Sequence, residues 1–269
     1  MLKLCAACGC VVGKIRTNNE DNFYFNGTTL KKENAGLGKI LTLEKTIRRP
    51  IYFGVFDGMG GELFGEEASY LAAETLRCYV KTNRNRSLID FNTVIQDANT
   101  KICSAARARG MGLEGSTAVL LKIDSQQATI ANIGDSKAFL YREGYLEQVS
   151  VDHTEQALFK EYGIVNRKPR LTQHLGIEPS ELVIEPHSVQ IDIQPGDQFL
   201  LCSDGLTDMV GVEAIKEVLR CNFSPEVTVS ELINRAMNGG GKDNTTIVFC
   251  KVSNSNPKQR LRKKIKNDS

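Results

Sequence analysis

What most constrains this chain is where its hydrophobic period changes. Apolar residues recur at helical spacing over 62–82 (Leu63, Ala68, Leu71, Ala72, Leu76, Val80) and over 88–108 (Leu88, Phe91, Val94, Ile95, Ala98, Ile102). Both stretches read as amphipathic helices. A second helical block covers 211–220 and 225–237. Between the blocks lie short runs rich in branched and aromatic residues: STAVLLKID, QATIANIG, SKAFLYR and GYLEQVS, parted by turn residues. These read as an antiparallel meander. IYFGVFD (51–57) is a continuous apolar run and hence a buried strand. LVIEPHSVQIDI, DQFLLCSD and NTTIVFCKV add further strands, and DHTEQALFKEYGIV turns helical. Residues 26–50 form a long polar connection with room for a hairpin, and 163–180 a mobile loop. Helices in blocks, with strands between and at the ends, give an α+β class with helices packed on antiparallel sheets, not alternating βαβ units.

The chain has 269 residues, 41% of them hydrophobic, which suffices for one large domain. No break in composition divides residues 1–253. Residues 254–269 carry six Lys/Arg and one Asp, a charge of +5, so the +2 of the whole chain leaves 2 − 5 = −3 for the rest. The tail is basic and has the composition of a disordered segment. A net +2 gives no ground for a nucleic-acid-binding protein. No apolar run reaches the length of a membrane span, and MLKLCAACGCVVGK lacks a cleavable leader pattern. Most of the eight cysteines sit singly in apolar runs, as buried thiols do in a reducing, cytoplasmic compartment. Cys5, Cys8 and Cys10 cluster, but no second Cys/His pair with zinc spacing follows, so they read as alternating positions of a first strand.

Acids recur beside glycine at strand ends: Glu20 and Asp21 in RTNNEDNF, Asp57 in VFDGMGG, Asp135 in NIGDSKA, Asp204 in LLCSDGLTD and Asp243 in GGGKDNTT. One such Asp is usually a turn or helix cap. Five sites in one chain point instead to a shared task. Carboxylates without Cys or His suit hard cations such as magnesium or manganese. Two such ions about 4 Å apart can clamp a phosphoryl group. Asp57 closes a buried strand, and the glycines after it let backbone approach an ion, so that the Gly58 carbonyl can ligate. Glu62 and Glu66 fit the acidic first turn of the next helix.

RTNNED, FDGMGG, EGSTAV, IGDSKAFL, VDHT, LLCSDGLTD and KDNTTIV stand in the order and spacing of the metal-dependent, type 2C Ser/Thr protein phosphatases. The chain resembles that family, in its bacterial branch, from about residue 5 to 252. The resemblance implies a four-layer α-β-β-α sandwich: two antiparallel sheets with helices on both outer faces. It implies that Asp57 bridges two manganese or magnesium ions, with Gly58, Glu20, Asp204 and Asp243 completing their ligands. Asp135 and Asp204 would hold a third, weaker ion. Asp21 and Asn244 would act through bound water, and Arg16 would hold the phosphate. The reaction implied is hydrolysis of phosphoserine and phosphothreonine by a hydroxide between the two ions. Implied partners are phosphoproteins and a Ser/Thr kinase that makes them, and family members are often monomers. The loop after VDHT corresponds to the family's flap.

One position departs from the eukaryotic relatives. Their His after Asp-Gly is Met59 here, which cannot donate a proton to the leaving alkoxide. Water at the third ion near Asp135 takes that role in this reading, with His153 a weaker candidate and His174 and His187 structural. Rival readings are fewer. GGGKDNTT resembles the end of a nucleotide-binding loop, but Lys242 precedes Asp and the required glycine spacing is missing. A silent binding module of the same fold, and the same chemistry on another phosphoester, are the remaining alternatives.

Overall fold

In the computed structural model, the described residues are 1–59, 64–83, 89–110, 115–162, 164 and 169–254. Twelve strands and six helices are defined among them. The first sheet has the order β3 (Leu41–Thr46), β1 (Leu2–Val11), β12 (Thr245–Asn254), β11 (Gln198–Cys202), β8 (Lys137–Arg142) and β9 (Tyr145–Gln148). The second runs β10 (His187–Asp192), β7 (Gln127–Ile133), β6 (Ala118–Ile123), β4 (Ile51–Met59) and β2 (Asp21–Phe25), with β5 (Gly115–Ser116) pairing the end of β4. Every pairing is antiparallel.

Three apolar layers follow from strand alternation. Phe53 and Val55 of β4, Val119 and Leu121 of β6, and Val248 and Cys250 of β12 meet between the sheets. Their alternates Tyr52, Phe56 and Leu120 face α1 (Gly65–Thr82) and α2 (Phe91–Ala108). Ile247 and Phe249 face α5 (Val212–Arg220) and α6 (Pro225–Asn238) on the other side. This is the expected four-layer α-β-β-α sandwich. Central strands buried on both faces read as continuous apolar runs rather than alternating ones. Each large side chain so buried contributes about 1.5–3 kcal/mol.

The structure redraws several expected elements. The strand block after residue 115 is not one meander. β6 and β7 belong to the second sheet and β8 and β9 to the first. The chain crosses at Gly134, whose φ of +92° is a left-handed conformation open to glycine. Asp135 therefore sits at the corner between the sheets. The 26–50 connection holds an edge strand, β3, that pairs β1 instead of closing a hairpin on itself. Of LVIEPHSVQIDI only His187–Asp192 is strand, and the helix after VDHT shortens to α3 (Gln156–Glu161). Helix α2 starts at Phe91, where the Asp90 carboxylate accepts from the amides of Asn92 and Thr93. Part of the expected mobile loop is tied down, through bridges of Leu171 to Thr154 and Leu175 to Ser116. Leu63, Glu62 and Leu88 lie outside the described residues, as do residues 163, 165–168 and the basic tail from 255. No helix among the described residues is long and apolar enough to cross a membrane.

Candidate active site

Alternation places the acids. Phe53 and Val55 point between the sheets, so Asp57, two residues on, lies in the same row. Phe23 and Phe25 do the same on β2, and Asp21 continues their row. Asp21 and Asp57 are direct register partners. The carboxylates thus cap one end of the inter-sheet core. Asp204 joins from the first residue of the short helix α4 (Asp204–Thr207), just after β11. Asp243 arrives from the loop before β12, and Asp135 from the corner turn.

Their mutual repulsion is the main electrostatic feature. Burial pushes the Asp57 carboxyl well above the usual carboxylate range, and the charges of Asp204, Asp21, Asp135 and Asp243 push it further. Asp57 nonetheless keeps a partly open surface. Burial likewise raises Asp21, to about 7, against the downward pull of hydrogen bonds from Thr246 and Ser203. Glu20 is raised by burial, with Arg16 opposing.

A hydrogen-bond frame holds these residues. The Asp57 amide donates to Thr117 Oγ1 at 3.1 Å, and the Thr117 amide returns a bond to the Asp57 carbonyl at 2.8 Å. Thr117 Oγ1 lies 2.6 Å from Ser136 Oγ, beside Asp135. Ser203 Oγ donates to Asp21 Oδ2 at 2.8 Å. Asn244 binds the loop that carries Arg16 and Glu20. Its Oδ1 accepts from the Glu20 amide at 2.7 Å, and its Nδ2 donates to the carbonyls of Val12 and Asn18 at 2.8 and 2.9 Å. The Gly58 amide donates to the Glu20 carbonyl at 3.2 Å. Here glycine is compulsory, because a Cβ on Gly58 would lie 2.0 Å from the Gly65 carbonyl oxygen and 2.5 Å from that of Glu20. Gly58 and Gly65 therefore let β4, the start of α1 and the Glu20 segment pack together.

Arg16 donates to Asp243 Oδ2 at 2.7 Å, in a half-exposed ion pair. Among the described residues, no three acidic, His or Cys side chains are already grouped tightly enough to hold a metal ion. Asp243 is turned to a guanidinium, and the acids interact through charge rather than through contact. His153 is near this corner. Its Nδ1 accepts from the Gly134 amide at 3.2 Å, and burial lowers its pKa. Cys202 is fully buried, and burial pushes its thiol up to about 12, so it is no nucleophile near neutral pH. Met59 ends β4 opposite Gly115.

Thus Glu20, Asp21, Asp57, Gly58, Asp135, Asp204, Asp243, Asn244 and Arg16 all come to one end of the sandwich. Sequence reasoning missed Thr117 and Ser203. Both lie inside motifs it had singled out, EGSTAV and LLCSDGLTD, but their partners are 60 and 182 residues away.

Comparison with known proteins gives this arrangement its context. The protein phosphatase 2C family model matches residues 28–158. The serine/threonine phosphatase stp of Listeria monocytogenes is 30% identical over 252 residues, covering 88% of this chain and 91% of that one. The serine/threonine protein phosphatase PstP of Mycobacterium tuberculosis is 31% identical over 251 residues, 89% of this chain but 43% of that longer protein. The crystal structure of the M. tuberculosis phosphatase PstP/Ppp superposes with a TM-score of 0.75 at 25% identity, covering 94% of this chain and 100% of that one. The PstP catalytic domain in complex with two manganese ions gives 0.72 at 26% identity, with 94% of this chain and 100% of that one covered. The chain therefore belongs to the protein phosphatase 2C family of metal-dependent enzymes and is a protein serine/threonine phosphatase.

Proposed function

We propose that the acid cluster binds two divalent cations, manganese or magnesium, and that residues 1–253 are a catalytic unit hydrolysing phosphoserine and phosphothreonine. Asp57 would bridge the ions, with the Gly58 carbonyl, Glu20, Asp204 and Asp243 as further ligands, and Asp135 with Asp204 would serve a third ion. The observation that carries this reading is the convergence of Asp57 with its register partner Asp21 and with Asp204, Asp135 and Asp243 at one end of the inter-sheet core, close enough for their charges to raise the Asp57 carboxyl. Packing like charges together is unfavourable unless a cation neutralises them, and an oxygen-only donor set fits these two metals. The PstP structure with two manganese ions supports the same number here.

When bound, such ions supply a hydroxide nucleophile near neutral pH and offset charge on the transferring phosphoryl oxygens. The chain's own residues do the rest. The Arg16 fork suits two phosphate oxygens. It now engages Asp243, so a substrate phosphate would take the guanidinium from Asp243 and leave that carboxylate to ligate. Asn244 fixes the Glu20 amide, and Ser203 orients Asp21 for contact with bound water. His153 is not the acid that protonates the leaving alkoxide. With its pKa lowered it is neutral near pH 7, and its Nδ1 is engaged by the Gly134 amide. Asp135 is the better position for holding that proton on water.

Substrates are phosphoproteins made by a Ser/Thr kinase, and the enzyme acts as a cytoplasmic monomer without nucleic acid. The test is hydrolysis of a phosphothreonine peptide and p-nitrophenyl phosphate with manganese, magnesium or EDTA, beside Asp204→Asn. Turnover that needs the metal and vanishes in the variant is the expected result. A folded protein inactive with every metal would shift the reading to a binding module. Asp135→Ala should slow the peptide more than the aryl ester, whose leaving group needs no proton; equal loss on both would remove Asp135 from proton transfer.

A further inference from the structure

At the opposite end of the β2–β4 pair from Asp57 is a half-open cavity of about 300 Å³. Tyr24, Tyr52 and Val80 line its base, and Lys45, Arg48 and Arg49 line its rim. Ile51 borders it and Asp57 is six residues further along β4, so at about 3.3 Å per residue the two sites are roughly 20 Å apart. No acidic residue lines the cavity among the described residues. Cations elsewhere in the fold are either paired with a carboxylate or stand singly, as Lys101 and Lys251 do on neutral oxygens, whereas here three share one cavity. Lys3, Lys32, Arg77, Arg107, Lys137, Arg142 and Arg235 each pair with a carboxylate. Arg48 and Arg49 have no acidic partner among the described residues, and Lys45 Nζ donates only to the neutral Asn26 Oδ1, at 2.8 Å. Three positive charges around an aromatic floor, on a body whose net charge is −3 (+2 for the chain less +5 for residues 254–269), form a local anion trap.

We propose that this cavity is a second phosphate-binding site, distinct from the catalytic acids. Two guanidinium forks and an ammonium match the three oxygens of a phosphate monoester, and the tyrosine rings supply apolar contact for the group that carries it. Tyr24 and Tyr52 are 3% and 2% exposed, so the base is fixed in the β2–β4 core, while the rim comes from β3 and the residues that join it to β4. Two sources offer this chemistry: a small phosphate compound, or a second phosphorylated side chain on the protein substrate. The latter rests on the phosphatase reading above; the former does not.

The test is amide NMR of the full chain in EDTA, titrated with inorganic phosphate and, as a control, with chloride at equal ionic strength. Phosphate should shift the amides of residues 45–49, Ile51, Tyr52 and Val80 saturably, apart from any shift at residues 16–21 and 57–59. Arg48→Ala/Arg49→Ala, both exposed in the parent, should weaken that binding roughly tenfold or more and leave turnover of p-nitrophenyl phosphate unchanged. If chloride reproduces the shifts, or the double variant binds phosphate as the parent does, the site does not exist. Peptides carrying one or two phosphothreonines then identify the source. A lower KM for the doubly phosphorylated peptide, lost in the variant, assigns the site to protein substrates. Equal KM values, with phosphate binding intact, assign it to a small ligand. Shifts at the cavity in a chain without phosphatase activity would leave this site standing while refuting the catalytic reading.

Discussion

One face of β4 serves two opposite purposes. Along its first half, Phe53 and Val55 pack against Val119, Leu121 and Val248 with no exposed surface. Two residues past Val55 the same row delivers Asp57 into a group of acids that repel one another. On β2, Phe25 and Phe23 lead to Asp21 in the same way. The apolar end is at its lowest energy as it stands. The acidic end is strained by charge, and stays assembled because the apolar end fixes the strands that carry it. Stability and function are therefore divided along single strands rather than between separate elements.

Replacing residues at the two ends should produce opposite effects. The largest is on activity. Asp57→Asn should reduce phosphopeptide turnover on the order of 10³-fold, measured with manganese in excess. Yet the same variant should melt higher than the parent in EDTA at pH 7.5, because it removes a buried charge from the cluster. The sign follows from linkage. A carboxyl whose folded pKa is raised contributes stability below its unfolded value, near 4, and loses it as pH rises through the folded value, about 7 for Asp21. In EDTA the parent should thus gain thermal stability from pH 7.5 to 5.5 more than Asp57→Asn does. A lower melting temperature for Asp57→Asn would erase the contrast between the ends.

Next in size is a change at the apolar end. Phe53 is fully buried between the sheets, and Phe53→Ala should cost about 3–5 kcal/mol of unfolding free energy. In denaturant melts that loss should appear without a change in manganese affinity while the variant stays folded. Smaller still is the link between the ends. Ser203→Ala removes the hydroxyl from Asp21 and should cost about 1–3 kcal/mol, seen as an upward shift of the acidic limb of the pH–rate profile. An unshifted profile would mean that Ser203 only packs. The smallest effect belongs to His153→Gln. A neutral His153 predicts turnover within a few-fold of the parent on both peptide and aryl phosphate, whereas a selective loss on the peptide would restore it as the proton donor.

The sequence was most legible where a signal was local. Runs such as IYFGVFD and NTTIVFCKV are buried on both faces, so they stand out as strands without alternation. The acids were legible because each lies beside a turn that ends such a run. Edge strand β3 was not, since its half-exposed pattern in LTLEKT resembles a polar connection. The split of β6–β9 across two sheets was hidden too. Gly134 signals a turn, but nothing nearby says that the turn changes sheet. Thr117 and Ser203 were flagged by motif but not by role, because a hydrogen bond across 60 or 182 residues leaves no periodicity to read. The Arg16–Asp243 pair was likewise unforeseen, each residue having been assigned a different partner.

The most direct test of the central claim is a count of bound manganese by electron paramagnetic resonance titration of the parent and Asp57→Asn. If the end of the inter-sheet core is a metal site, the parent should bind two ions tightly and the variant should lose both, since each would share Asp57. A variant that binds manganese as the parent does would contradict the account, and the raised carboxyl of Asp57 would then need another explanation.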